Sequence, residues 1–315
     1  MSKSSYISIV SPVYNAENII LKLVNKLEFY TKKITNDYEI ILVEDCSSDS
    51  SWNVITDLCK KNHKVKGIKL SRNFGQHRAI CAGTEISTGE YTIIIDCDLQ
   101  HDPKYIIDLH EKIKEGYDIV LTRTKTRCHS FFKNMSAYFY YKLMNFLSDY
   151  NMDPNIGSFS VLSRKALHTF NQLKDCDKLY LWAINWIGFN QSTINIKHNQ
   201  RHEGISSYSI SKLINHALNV TISNSDRGLK IMVLLGFFIS LFASFLFIVI
   251  LFQYFYYGLL EGWTSLMISI TFFSGIILTS IGILGLYISK IFEQTKNRPR
   301  YIIQESLNLS SNKNG

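Results

Sequence analysis

In the N-terminal part of the chain, short runs rich in Ile, Val, Leu and Tyr alternate with longer segments whose apolar residues fall at helical spacing. The runs 6–10, 38–43, 65–70, 91–95 and 118–121 predict strands, and the segments at about 16–33, 50–62, 76–87 and 103–115 predict helices. Regular alternation of the two predicts a doubly wound α/β unit around a mainly parallel sheet. Asp49 or Ser50 can cap the second helix, and Pro103 suits the first position of the fourth.

The pattern then changes. Residues 129–148 predict a helix too polar to span a membrane yet crowded with Phe and Tyr, as expected of one lying in the headgroup layer, with an ordinary core helix as the alternative; 209–223 can form a second interfacial one. Farther on, 231–260 carries no charged residue, and after Glu261 the run 262–289 carries none either. Each exceeds the roughly 20 residues a spanning helix needs, which predicts two transmembrane helices at about 231–254 and 264–288. The expected organisation is a soluble domain over 1–228, the two helices within 229–290, and a tail over 291–315 that looks disordered after Ser306.

Charge sets the expected orientation. Arg227 and Lys230 precede the first span and Lys290, Lys296, Arg298 and Arg300 follow the second, whereas the turn 256–263 has no Lys or Arg. The positive-inside rule places both ends in the cytoplasm, and hence a two-pass protein of the cytoplasmic membrane. The N-terminus has no signal-peptide pattern. The cysteines Cys46, Cys59, Cys81, Cys97, Cys128 and Cys176 form no CxxC pair and read as reduced thiols. A formal charge of +8 without a dense basic tract fits anionic lipid and phosphate substrates rather than nucleic acid.

The candidate chemistry lies at strand ends. Asp96-Cys97-Asp98-Leu99-Gln100 follows the fourth strand, at the edge where open α/β sheets bind ligands. Asp96, Asp98 and Gln100 offer oxygen ligands for Mg²⁺ or Mn²⁺ and leave coordination positions for a diphosphate. Three further motifs follow the first three strands: Ser11-Pro12-Val13-Tyr14-Asn15-Ala16-Glu17, Val43-Glu44-Asp45-Cys46-Ser47-Ser48-Asp49 and Leu70-Ser71-Arg72-Asn73-Phe74-Gly75-Gln76.

In this order and spacing the four motifs resemble those of the family 2 glycosyltransferases of GT-A fold. Arg201-His202-Glu203-Gly204-Ile205-Ser206-Ser207-Tyr208, the segment Gly282-Ile283-Leu284-Gly285-Leu286-Tyr287-Ile288 and Arg298-Pro299-Arg300-Tyr301-Ile302-Ile303 narrow the resemblance to the polyprenyl-phosphate glycosyltransferases. The resemblance implies that Pro12, Tyr14, Glu17 and Asp45 hold the base and ribose of a nucleotide sugar. It places Asp96, Asp98 and Gln100 at the metal and diphosphate, and Arg201 at a phosphate. Arg123, at the end of the fifth strand, is a further phosphate candidate.

Departures from the family pattern bear on the mechanism. Gly157-Ser158-Phe159 stands where the family commonly has Gly-Asp-Phe, and Ser158 cannot act as a general base. Asp153 is the nearest substitute carboxylate. Glu44, Cys46, Ser207 and Leu286 replace a frequent Asp, Gly, Lys and Glu. The expected function is inverting, metal-dependent transfer of one sugar from UDP- or GDP-sugar to a polyprenyl phosphate at the cytoplasmic face. Transfer to a lipid-linked saccharide in surface-polysaccharide assembly is the alternative, an inactive membrane scaffold another, and homo-oligomerisation is open.

Overall fold

The computed structural model describes residues 6–124, 153, 155–175, 179–197, 227–257 and 262–309. The elements in chain order are β1 (Ile7–Val13), α1 (Ile20–Thr31), β2 (Tyr38–Glu44), α2 (Ser51–Lys61), β3 (Val65–Leu70), α3 (Gln76–Ile86), β4 (Tyr91–Ile94), α4 (Tyr105–Lys114) and β5 (Ile119–Thr124). Then follow β6 (Ile156–Ser163), α5 (Arg164–Gln172), α6 (Tyr180–Ile187), β7 (Gln191–Ile196), α7 (Arg227–Tyr257), α8 (Trp263–Thr295) and β8 (Ile303–Leu307). They fall into two units: the sheet with its helices and β8 in one, α7 and α8 in the other.

The sheet has the order β7-β5-β6-β4-β1-β2-β3-β8. β1 pairs parallel with β2 and β4, β2 with β3, and β5 with β7. β6 runs antiparallel to β4 and β5, and β8 antiparallel to β3. β1 and β2 are buried along their whole length, which is why both are dominated by Ile, Val and Leu with no alternation of apolar and exposed polar positions, and why Ser8, Ser11, Glu39 and Glu44 within them are buried too. On one face α1, α2 and α4 cover a core containing Ile9, Leu23, Ile55 and Ile106; on the other α3, α5 and α6 cover Val10, Ile80, Leu167 and Ile184. α1 buries Ile20, Leu23, Val24 and Leu27, the i, i+3, i+4, i+7 stripe of an amphipathic helix. α3 packs through small residues: a Cβ at Gly83 would stand 2.4 Å from Val10 Cγ1.

Several expectations need correction. α4 begins at Tyr105, so Pro103 lies in the preceding turn, where Asp102 Oδ1 accepts from the Lys104 amide. Ser50 holds the N-cap position of α2 but makes no capping bond; Asp49 Oδ1 accepts from the Ser51 amide instead. The tail is ordered through Leu309, because β8 adds to the open edge of β3 and the Asn308 side chain donates to the carbonyls of Cys59 and Val65. The tail set apart at 291–315 thus supplies part of the sheet. α7 and α8 extend beyond the predicted spans 231–254 and 264–288 at both ends. Within α8, Phe272–Thr295 is long and apolar enough to cross a membrane. The interfacial segments 129–148 and 209–223 and the motif 201–208, with Arg201 and Ser207, lie outside the described residues.

Candidate active site

Parallel pairing of β1, β2, β3 and β4 brings their C-terminal ends, and the loops that follow, to one edge of the sheet. The first two loops are tied together. Asn15 Oδ1 accepts from the Ser48 amide and hydroxyl, and the amides of Asn15 and Ala16 donate to the hydroxyls of Ser47 and Ser51. Glu17 and Asp49 complete the tie: the Glu17 amide donates to Asp49 Oδ2 at 3.1 Å and the Ser50 amide to Glu17 Oε2 at 2.8 Å.

Asp45 fastens the second loop to the third. Its two carboxylate oxygens accept from the amides of Phe74 and Gly75, each at 2.7 Å. Burial pushes the Asp45 carboxyl above its usual value, aided by the neighbouring Glu44 charge and opposed by these two amides. Gly75 has φ +93 at the start of α3, a left-handed conformation that a side chain would strain. Cys46 occupies the same region at φ +55 and is exposed, which explains physically why glycine suits that position. Cys46→Gly is expected to raise stability by roughly 1 kcal/mol without changing turnover, as thermal unfolding and a rate assay would measure.

After β4 the chain turns at Asp96-Cys97-Asp98, with Leu99 at φ +55. The Asp96 carboxylate is gripped from two sides: Gln76 Nε2 donates to Oδ1 at 2.6 Å and Ser158 Oγ to Oδ2 at 2.7 Å. Burial pushes Asp96 up to about 6, the Asp98 charge adds to the rise, and the Ser158 and Gln76 hydrogen bonds oppose it. No Lys or Arg among the described residues pairs with Asp96 or Asp98. Burial pushes the Cys97 thiol up to about 12.

These loops enclose a cavity of about 340 Å³ lined by Pro12, Val13, Tyr14, Asp45, Asn73, Gly75, Gln76, Asp96, Cys97 and Asp98. That volume suits a small ligand. Of the residues expected at the site, Pro12, Tyr14, Asp45, Asp96 and Asp98 come together here. Four others stand elsewhere. Glu17 caps the start of α2 instead of facing the cavity. Gln100 is not among the residues lining the cavity, and its backbone N–H donates to Asp98 Oδ1 at 3.1 Å, closing the turn that holds Asp98. Arg123 and Asp153 pair with each other, Nε to Oδ2 at 2.9 Å, and Asp153 Oδ1 also accepts from the Asn155 amide. Sequence reasoning assigned no role to Asn73, Gly75 or Gln76, although their polar motif directly follows a strand. Ser158, which cannot act as a base, joins Asp96 from β6 as a hydrogen-bond donor.

A family model described as "Glycosyl transferase family 2" matches residues 8–170. The chain is 32% identical to the uncharacterized glycosyltransferase YkcC of Bacillus subtilis (strain 168), with 99% of this chain and 97% of that protein covered. It is 33% identical to the putative glycosyltransferase CsbB of the same organism, over 96% of this chain and 93% of that protein. It is 31% identical to the SfII prophage-derived bactoprenol glucosyl transferase of Shigella flexneri, over 95% and 98%. The strand-end loops, the cavity they form and matches of this extent lead to one conclusion: the chain belongs to glycosyl transferase family 2 and is a glycosyltransferase.

Proposed function

We propose that the chain transfers one sugar, with inversion, from a nucleotide sugar to a polyprenyl phosphate at the cytoplasmic face of a membrane, with a divalent cation in the site. One observation carries this reading: Asp45, Asp96 and Asp98 line the same cavity. Asp45, with Pro12 and Tyr14, suits the nucleoside end of such a donor, and the paired acids suit its diphosphate end. The identity with a bactoprenol glucosyl transferase supports a lipid-phosphate acceptor.

The acids fit Mg²⁺ or Mn²⁺. Both carboxylates are hard oxygen donors without a cationic partner among the described residues, and the burial that raises Asp96 is a cost that a cation offsets. Asp96 and Asp98 would hold the ion, and the ion would neutralise charge gathering on the departing diphosphate. Gln76 and Ser158 fix the orientation of Asp96. By the family resemblance, Arg201 contacts a phosphate of donor or acceptor.

No carboxylate is needed as a base. A polyprenyl monophosphate has a second pKa near ~6 and arrives largely deprotonated. Its oxygen attacks the anomeric carbon as the bond from that carbon to the diphosphate oxygen breaks, and the nucleoside diphosphate leaves with the bonding pair. Ser158 serves as a donor to Asp96, and Asp153 is engaged with Arg123. Asp153→Asn is therefore expected to change kcat by less than about threefold. Were the acceptor a saccharide hydroxyl, removing its base would cost on the order of 10²- to 10⁴-fold. A loss of that size in folded Asp153→Asn with donor still bound would favour a lipid-linked saccharide as acceptor.

For the membrane arrangement we propose a soluble domain over 1–228 and two spans in α7 and α8. The chain leaves the sheet before α7 and rejoins it as β8 after α8, which supports a pair of spans over a single one. The basic residues at both outer ends favour a cytoplasmic sheet. A cysteine at Gly258 in an otherwise cysteine-free variant should react with an impermeant thiol reagent on intact cells, and one at Asn312 should be protected. The reverse pattern would contradict this orientation.

A further inference from the structure

The segment that follows α8, Arg298-Pro299-Arg300-Tyr301-Ile302-Ile303, takes no part in the chemistry proposed above, yet it is bonded to the elements that carry the cavity. Arg300 Nη2 pairs with Glu85 Oε1 at 2.7 Å, and Nη1 donates to the Leu173 carbonyl at 2.7 Å. Tyr301 Oη donates to Glu85 Oε2 at 2.5 Å, so both oxygens of this carboxylate are taken by the tail. Glu85 lies near the C-terminal end of α3, whose first residue, Gln76, holds Asp96. The Ile302 carbonyl accepts from the Ser71 amide at 3.0 Å, and the chain then pairs with Leu70 through Ile303.

Ser71 opens the third strand-end loop. Three and four residues later that loop presents the Phe74 and Gly75 amides to Asp45, and it lines the cavity with Asn73, Gly75 and Gln76. Tyr301 and Phe74 both pack against the same hydrophobic core. The loop is thus held on its inner side by Asp45 and at its start by the tail, while α3 is held at one end by Asp96 and near the other by Arg300 and Tyr301. Hydrogen bonds to an ionised carboxylate are charge-assisted and stronger than neutral ones, and here the two oxygens of Glu85 are held from two directions, by Arg300 and by Tyr301.

We infer that Arg300–Ile303 is a positioning strap for the donor cavity: by gripping Glu85 and the Ser71 amide it sets the loop 71–76 in the shape that binds a nucleoside diphosphate. The inference rests on the proposed occupancy of that cavity by a nucleotide donor. The positioning residues are Glu85, Arg300 and Tyr301, none of which lines the cavity.

The test uses the full-length protein in lipid nanodiscs, with Arg300→Ala, Glu85→Ala, the double variant and the milder Tyr301→Phe. UDP and GDP binding is titrated, and amide hydrogen exchange of residues 71–76 is followed without nucleotide. The strap predicts roughly tenfold weaker binding of whichever nucleotide the wild type takes, for either alanine variant, with no further loss in the double variant. Donor KM should rise by a similar factor with kcat within about twofold, and exchange at 71–76 should quicken. Tyr301→Phe should shift both readouts in the same direction by less. Lower melting temperatures with unchanged exchange at 71–76 and unchanged nucleotide affinity would overturn the strap. Failure of the wild type to bind either nucleotide would count against the donor reading, and the exchange of 71–76 would still decide for or against the strap.

Discussion

Asp98→Ala is expected to lower turnover by about a thousandfold or more while leaving the fold intact. Asp98 stands in a half-buried turn at the rim of the sheet, and its main structural duty is to accept the Gln100 amide, which water can satisfy once the carboxylate is gone. Little packing is lost. What disappears is one of the two carboxylates of the proposed ion site, Asp96 and Asp98 both lining the cavity. The effect should persist at saturating donor, because a charge that gathers mainly in the transition state is left without its counter-ion. Rates of wild type and variant over a Mg²⁺ and Mn²⁺ series, with melting curves of both, make the comparison. Wild-type rates in Asp98→Ala would remove this residue from the mechanism.

The largest expected effect on stability lies far from the cavity. Glu39 on β2 is 1% exposed; its Oε1 accepts from Ser8 Oγ at 2.5 Å, the Thr88 amide at 2.8 Å and Thr88 Oγ1 at 2.9 Å, and Lys66 pairs with Oε2. Burial alone would raise this carboxyl, but Lys66, Ser8 and Thr88 outweigh it and hold the group below its usual range. Lys66→Met leaves the carboxylate buried without its cation and should cost about 3–5 kcal/mol. For a domain of this size that corresponds to a melting point lower by roughly 10 °C. The sign of the pH dependence follows from the depressed carboxyl. Its contribution is present above the unfolded value near ~4.3 and is lost as pH falls through the folded one. The gap between wild type and Lys66→Met should therefore be full at neutral pH and narrow on acidification. Equal melting points at neutral pH would show that the pair contributes nothing.

The N-terminal half of the sheet was legible because β1, β2 and β4 lie inside the sheet and carry clusters of Ile, Val and Leu bounded by turn residues, while in β3 the half-buried Lys66 and Lys69 interrupt Val65, Ile68 and Leu70 without hiding the run. β6 gives a weaker signal. Its sequence mixes Ser and Gly with Phe, Val and Leu, and it becomes a strand by antiparallel pairing with β4 and β5. β8, Ile-Gln-Glu-Ser-Leu, is exposed along nearly all its length and has no apolar face to read; it forms because the edge of β3 is open to it. The site divides the same way. Acids at strand ends announce themselves locally, whereas the grip on Asp96 comes from Gln76 and Ser158, 20 and 62 residues away. Glu17 and Asp153 illustrate the converse: carboxylates near the expected places that the fold uses for a helix cap and an ion pair.

The most direct measurement incubates the purified full-length protein in nanodiscs with a panel of radiolabelled UDP- and GDP-sugars, Mg²⁺ or Mn²⁺, and either undecaprenyl phosphate or a lipid-linked oligosaccharide. The prediction is label in a single-sugar lipid that forms only with undecaprenyl phosphate, is lost on chelation and is absent with Asp98→Ala. Label appearing only on the lipid-linked oligosaccharide, or no transfer from any donor to either acceptor, would contradict it.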